Sequence, residues 1–393
     1  MLFVEDLDVK GKVVFVRVDF NVPLDDKGNV RNDARIKASL PTINYLLGKG
    51  AKLVLASHLG RPKGKFDSKL SLKPVAERLG ELIGRDVLFA PDCVGDEANK
   101  LKAGLQEGSI LLLENVRFHA EETANDPGFS KKLAEGIDYF VNDAFGSSHR
   151  AHASVVGITQ FVEKSAAGFL LKKEVEYLRK AVHSPARPYV AILGGAKVED
   201  KIPVIENLLN KADSILIGGA MAYTFLKALG YSVGKSLVES DKIEIALRIL
   251  DRAKAKKVGF FLPLDHVLTA AIESGVVFKT VETFPFPEDL MAVDIGPKTI
   301  ARYSEIIAKA KTIVWNGPLG VFETPAFAQG TMKIAEAVAN SKAMSIVGGG
   351  DSIAAVEKAG LSQKITHIST GGGASLEFLA YETLPGIEAL EKK

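Results

Sequence analysis

The sequence predicts an α/β protein built as two doubly wound parallel-sheet domains joined by a helix, and three observations predict it. Its 393 residues give two or three domains at about 150 residues each. Short, β-branched, nearly all-apolar runs alternate with helix-period segments, the pattern of parallel strands buried on both faces and linked by right-handed crossovers. Midway, a helical stretch closed by prolines separates two rounds of that plan.

In the first half the expected strands are Val13–Val18, Lys52–Ala56, Ile110–Leu113 and Tyr139–Asn142, with helices at Ala34–Leu47, Leu72–Ile83 and Phe129–Glu135. The seam is Gly168–Ser184, where Leu171, Val175, Leu178 and Val182 recur at helical spacing before Pro185 and Pro188 stop the helix. An inter-domain strut and an ordinary surface crossover both fit that pattern. The second half gives strands Val190–Leu193, Ser214–Ile217, Gly259–Leu262, Thr312–Trp315, Ser345–Val347 and His367–Ser369. Its helices include Lys201–Asn210, Asp241–Ala255, Ala326–Ala339 and Ser352–Ala359.

Composition narrows the function classes. Apolar residues are 47% and charged residues 25%, as in ordinary globular chains rather than disordered ones. Lys and Arg number 50 against 48 Asp and Glu, so nothing global points to nucleic acid or a membrane surface. Cys93 is the single cysteine, which excludes an intramolecular disulfide and a cysteine metal cluster. The longest run without a charged side chain, Ser214–Leu226, is short of the roughly 18–20 residues of a bilayer span. Met1–Lys10 carries Glu5, Asp6 and Asp8 and lacks the features of an export signal, so the expected location is cytoplasmic.

In open α/β sheets, ligands bind beyond the carboxyl ends of the strands. In the first half the segments there are Asp19-Phe20-Asn21, Ser57-His58-Leu59-Gly60-Arg61-Pro62, Glu114-Asn115-Val116-Arg117 and Asn142 to Arg150. With Arg35 at the head of the first helix, Arg35, Arg61, Arg117, Arg150, His58 and His149 fall at one end of one sheet. One arginine alone is best read as half of a surface ion pair. A convergent group, with planar forks matched to carboxylate and phosphate oxygens, suits a small polyanion.

The second half puts glycine at the same points: Gly194-Gly195-Ala196-Lys197, Gly218-Gly219-Ala220, Asn316-Gly317-Pro318-Leu319-Gly320, Gly348-Gly349-Gly350-Asp351-Ser352 and Thr370-Gly371-Gly372-Gly373. One such pair is explained by a tight turn. Repeated glycine loops opening helices favour phosphate, which the free N–H groups and the helix dipole attract. Asp351 beside such a loop suits Mg²⁺, and N-capping of the next helix explains it equally. Gly230-Tyr231-Ser232-Val233-Gly234-Lys235-Ser236 is one residue short of a P-loop and follows a helical stretch. No dinucleotide G-x-G-x-x-G and no histidine metal spacing occur.

Val18-Asp19-Phe20-Asn21-Val22-Pro23, Ser57-His58-Leu59-Gly60-Arg61-Pro62, Gly194-Gly195-Ala196-Lys197-Val198, Trp315-Asn316-Gly317-Pro318 and Gly348-Gly349-Gly350-Asp351-Ser352 together resemble the phosphoglycerate kinases, in family order and spacing over essentially the whole chain. Glu199 and His266 stand out against that pattern, at positions not expected to carry chemistry. The resemblance implies two domains facing across a cleft: residues 1–168 for 3-phosphoglycerate, a helix at 169–184, residues 185–378 for Mg-ATP or Mg-ADP, and residues 379–393 returning to the first domain. It implies that Asp19, Asn21, Arg35, His58, Arg61, Arg117 and Arg150 hold the triose acid. Lys197, Lys201, Gly218, Gly219, Ala220, Asn316, Glu323, Gly349, Gly350, Asp351 and Ser352 would hold the nucleotide, with Asp351 on Mg²⁺. Arg35, Lys197 and the N–H groups of Gly371, Gly372 and Gly373 would meet the phosphoryl group in transfer as the domains close. The family expectation is a monomer. For His58, orienting a neighbouring arginine and touching the ligand are equal readings. Two other classes fit less well: a binding protein without turnover leaves the glycine loops unexplained, and a dehydrogenase lacks its fingerprint.

Overall fold

The structure, a computed structural model, describes residues 1–273, 277–282 and 284–392. The chain divides into two compact units, Met1–Glu176 with Thr383–Lys393, and Tyr177–Glu382. The division falls inside the helix Phe169–His183, whose apolar stripe of Leu171, Val175, Leu178 and Val182 is buried.

The first unit holds β1 (Leu2–Phe3), β2 (Val13–Val18), β3 (Lys52–Ala56), β4 (Leu88–Ala90), β5 (Ile110–Leu113), β6 (Tyr139–Asp143) and β7 (Lys164–Ala167). They form one parallel sheet in the order β1-β7-β6-β2-β3-β5-β4. Val14, Phe15, Val16 and Val18 are completely buried, as a strand covered on both faces requires. On one face Ile36, Ile43 and Leu46 of helix Ala34–Gly48 and Val75 and Leu79 of helix Lys73–Ile83 close the core. The second of these helices starts with Pro74 in its first turn and stops at Gly84 in the left-handed conformation, φ 65°. The C-terminal helix Pro385–Glu391 belongs to this unit; the Gly386 N–H donates to the Ser148 carbonyl at 2.8 Å, and Ile387 and Leu390 are buried.

The second unit holds β8 (Tyr189–Leu193), β9 (Ser214–Ile217), β10 (Gly259–Phe261), β11 (His266–Thr269), β12 (Phe278–Val281), β13 (Met291–Ile295), β14 (Thr312–Asn316), β15 (Met344–Gly348) and β16 (His367–Ile368). Six of them make a second parallel sheet, β10-β9-β8-β14-β15-β16, around a core containing Trp315, Ile313, Tyr303 and Ile334. The α/β class and the parallel sheets agree with the sequence reading. The unforeseen element is a small antiparallel sheet, β12-β11-β13. The short strands β1, β4 and β7 also went unread, because two residues, three residues and the small-residue run Lys-Ser-Ala-Ala give no strand signal.

Candidate active site

In the first unit β6, β2, β3 and β5 lie side by side, and their carboxyl ends carry all the arginine-rich loops. From β2 the chain moves to β3 on one side and later returns to β6 on the other. The reversal of strand order therefore falls beside β2, where an open α/β sheet leaves a crevice.

Arg35, in the first turn of its helix, donates from Nη1 to Asp19 Oδ2 at 2.6 Å. Asn21 Oδ1 accepts the Gly60 N–H at 2.9 Å, and Arg117 Nη1 donates to the Gly60 carbonyl at 3.0 Å. These bonds tie the loops after β2, β3 and β5 into one frame. Arg150 donates from Nε to His149 Nε2 at 3.0 Å. Arg61 is exposed and makes no ion pair among the described residues. Burial, with Arg17 and Arg150 nearby, lowers the pKa of Arg117 to about 10, so it stays charged near neutral pH.

Arg17 is the residue the sequence reading missed. It is completely buried at the carboxyl end of β2, donating from Nε to Ser154 Oγ at 2.8 Å and from Nη2 to His58 Nδ1 at 3.1 Å. Behind it, Glu122 accepts the Ser154 hydroxyl at 2.6 Å and the Ser154 N–H at 2.9 Å. A guanidinium only donates, so His58 must accept at Nδ1 and carry its proton on Nε2. Desolvation, with Arg17, Arg117 and Arg35 nearby, holds His58 well below its ordinary pKa, and desolvation with Arg117 brings His152 down to about 3. Both imidazoles are thus neutral. A lone arginine inside the apolar run Val13–Val18 was the available signal.

In the second unit the glycine loops follow five adjacent strands, β9, β8, β14, β15 and β16. Their backbones interlock: the Gly194 N–H donates to the Asn316 carbonyl at 2.9 Å, Gly195 to Pro318 at 2.9 Å, and Gly219 to Leu319 at 3.0 Å. A Cβ at Gly194 would overlap the Pro318 carbonyl, and one at Gly219 would meet the backbone of Gly195, where φ at Gly219 is already +67°. Only glycine permits that approach. Gly349, Gly350 and Gly372, Gly373 open the helices Gly350–Lys358 and Gly373–Tyr381, turning free N–H groups outward.

A cavity of about 230 Å³ lies among these loops, and its lining includes Gly195, Gly219, Ala220, Tyr223, Ala292, Val293, Asp294, Leu319, Val321, Glu323 and Asp351. Lys201 is buried, its ammonium bonded to Asn316 Oδ1, and desolvation lowers its pKa to about 8 against the pull of Asp200 and Asp351. Ser352 Oγ accepts the Gly317 N–H at 2.6 Å, which joins two glycine loops. Gly218 is buried beneath Leu319, and Gly371 donates its N–H to Ser369 Oγ at 3.2 Å. Lys197 is exposed, without an ion pair among the described residues. Sequence reasoning missed the β13 wall, Ala292–Asp294, because no glycine or charged loop marks it.

The family model for phosphoglycerate kinase matches residues 4–382. The chain is 60% identical over 401 positions to the phosphoglycerate kinase of Acidobacterium capsulatum, covering 100% of this chain and 99% of that one. It is 59% identical over 400 positions to that of Koribacter versatilis, again covering 100% and 99%. The solved phosphoglycerate kinase of Coxiella burnetii superposes with a TM-score of 0.92 at 41% identity, covering 100% of this chain and 99% of that one. An arginine-ringed sheet end, a set of interlocked glycine loops and identity over the full length lead to one assignment: the chain belongs to the phosphoglycerate kinase family.

Proposed function

We infer that the protein catalyses the reversible, Mg²⁺-dependent transfer of a phosphoryl group between ATP and the carboxylate of 3-phosphoglycerate, forming 1,3-bisphosphoglycerate and ADP, as a cytoplasmic, monomeric enzyme of glycolysis and gluconeogenesis. One observation carries the residue-level reading. Each unit places its unusual residues at adjacent strand ends of a single sheet, arginines on one and glycine N–H groups on the other.

The acceptor is a carboxylate, ionised at neutral pH with a pKa near 4, so no general base is needed. The first unit's site agrees: His58 and His152 are neutral and arginines dominate. Arg117 and Arg150, with Arg61 and Asn21, bind the triose acid, and Arg17 holds His58 so that its Nε2–H can donate to a ligand oxygen. In the second unit the N–H groups of Gly349 and Gly350, with the Lys201 ammonium, receive the nucleotide phosphates. Asp351 fits Mg²⁺, because its exposed carboxylate offers oxygen ligands in the cavity that the glycine loops enclose. The chemistry that the bound ion supplies there is neutralisation of phosphate charge. Arg35, Lys197 and the N–H groups of Gly372 and Gly373 stabilise the charge on the oxygens of the group in transfer, while the Gly371 N–H, donated to Ser369 Oγ, holds the loop.

The test is a coupled assay of ADP formation with 3-phosphoglycerate and Mg-ATP. Turnover that requires both the acid and Mg²⁺, and falls on the order of 10²–10³-fold in Lys197→Ala, supports the reading. Equal turnover in the variant removes Lys197 from the chemistry. A wild type that binds both ligands without turnover refutes the activity.

A further inference from the structure

Behind the second unit's cavity lies a buried polar pair that none of the phosphate loops requires. Tyr223, on helix Met221–Ala228, is a cavity wall residue, and its Oη is 3.0 Å from Nδ1 of His266, with a hydrogen bond between them. His266 opens β11 and is completely buried, its ring packed on Phe284 and Phe286 with centroids 5.4 and 4.9 Å away. Burial brings its pKa down to about 4, so the ring is neutral. Its Nε2 has no hydrogen-bond partner among the described residues. Among the described residues the bond to Tyr223 is therefore the only polar return for burying this imidazole.

The pair also spans two walls. Across the sheet His266 pairs with Ile295 of β13, the strand whose Ala292, Val293 and Asp294 line the same cavity. The hydrogen bond thus links the helix carrying Tyr223 to the sheet carrying the other wall. Of the side chains that line the cavity, Ala292, Val293, Leu319 and Val321 are apolar, whereas Asp294, Glu323 and Asp351 supply carboxyl groups. The apolar stretch of that lining suits the flat face of a nucleobase and offers nothing to a phosphate.

We propose that Tyr223 and His266 act as a positioning pair that fixes the base-facing wall of the nucleotide cavity and so sets affinity for the nucleoside part of ATP and ADP. This rests on the reading of the cavity as the nucleotide site. Removing one partner leaves the other buried and unpaired, whereas replacing both by apolar rings leaves no orphan.

Tyr223→Phe and His266→Phe are each expected to raise the KM for Mg-ATP about three- to tenfold, a fraction of the usual cost of an unpaired buried group. The turnover number and the KM for 3-phosphoglycerate stay as in wild type. The double variant returns the ATP KM to within about twofold of wild type, and His266→Gln, which keeps a polar partner for Tyr223, stays close to wild type. Binding of tripolyphosphate, which has no base, is the same in every variant. Unchanged ATP KM in both single variants, or a double variant no better than either single one, overturns the proposal. Ala220→Leu separates the two levels, because it fills the cavity. Wild-type ADP binding in Ala220→Leu removes the nucleotide reading itself. Loss of binding there, with wild-type KM in Tyr223→Phe and His266→Phe, removes only the role of the pair.

Discussion

The division of labour between single residues can be measured. Arg117 is tied to the Gly60 carbonyl and retains its charge, the properties of an anchor that grips substrate equally before and during transfer. Arg117→Ala is therefore expected to raise the KM for 3-phosphoglycerate on the order of tenfold or more, as loss of a charged hydrogen bond does, with little change in turnover. Lys197→Ala should show the reverse, a fall in turnover with modest KM changes. Equal KM-only defects would erase the distinction. Lys201 adds a pH signature. Its pKa near 8 means the free site loses a positive charge as pH rises above 8, while bound phosphate favours the charged form. The KM for Mg-ATP should climb above pH 8 in wild type and stay flatter in Lys201→Arg, whose guanidinium does not titrate there. Parallel profiles would show that Lys201 does not meet the nucleotide.

At the scale of elements, buried apolar strands were the legible part. Val13–Val18, Lys52–Ala56, Ile110–Leu113 and Ser214–Ile217 stand where the sequence put them, because a parallel strand covered on both faces leaves a continuous apolar run. The helix expected over Ala326–Ala339 starts later, at Gln329, since Pro325–Phe327 forms a separate 3₁₀ turn. β12 escaped because Phe278–Val281 is mostly exposed and includes Lys279 and Thr280, so it has no apolar face to signal. Arg17 escaped for the opposite reason: its neighbours read as core and hid a polar chain running through Ser154 to Glu122. The loops were legible as glycines, whereas their interlocking was not, since contact between the loops after β8 and β14 depends on sheet order. That contact gives an element-scale expectation. Gly194→Ala should push the Pro318 carbonyl away and weaken nucleotide binding well beyond the fraction of a kcal/mol that loop Gly→Ala changes usually involve. Calorimetric titration with ADP measures it, and wild-type affinity would show that the two loops move independently.

At the scale of the whole molecule, pH couples to stability through two opposed sets of buried groups. His58, His152 and His266 are buried neutral, with pKa values lowered by desolvation. The stability they contribute is present above the ordinary histidine value of about 6.5 and is lost as the solution is acidified, because the unfolded chain then binds protons that the folded one refuses. Asp143 and Asp294 act the other way. Burial raises both to about 7. A carboxyl raised above its unfolded value near 4 stabilises most below pH 4, and that contribution disappears as pH climbs through 7. Asp143 matters most for the architecture: its Oδ1 accepts the Leu170 N–H at 2.9 Å in the first turn of Phe169–His183, the helix in which the division between the units falls, while its buried Oδ2 has no partner among the described residues. Asp143→Asn keeps the accepting oxygen and cannot ionise. Its urea midpoint should therefore match wild type below about pH 4, exceed it increasingly as pH rises from about 4 to about 7, and keep a constant lead above about 7, while the histidine contribution, common to both proteins, cancels in the difference. A midpoint difference independent of pH would mean that Asp143 is ionised throughout and that its charge is carried by the helix it caps.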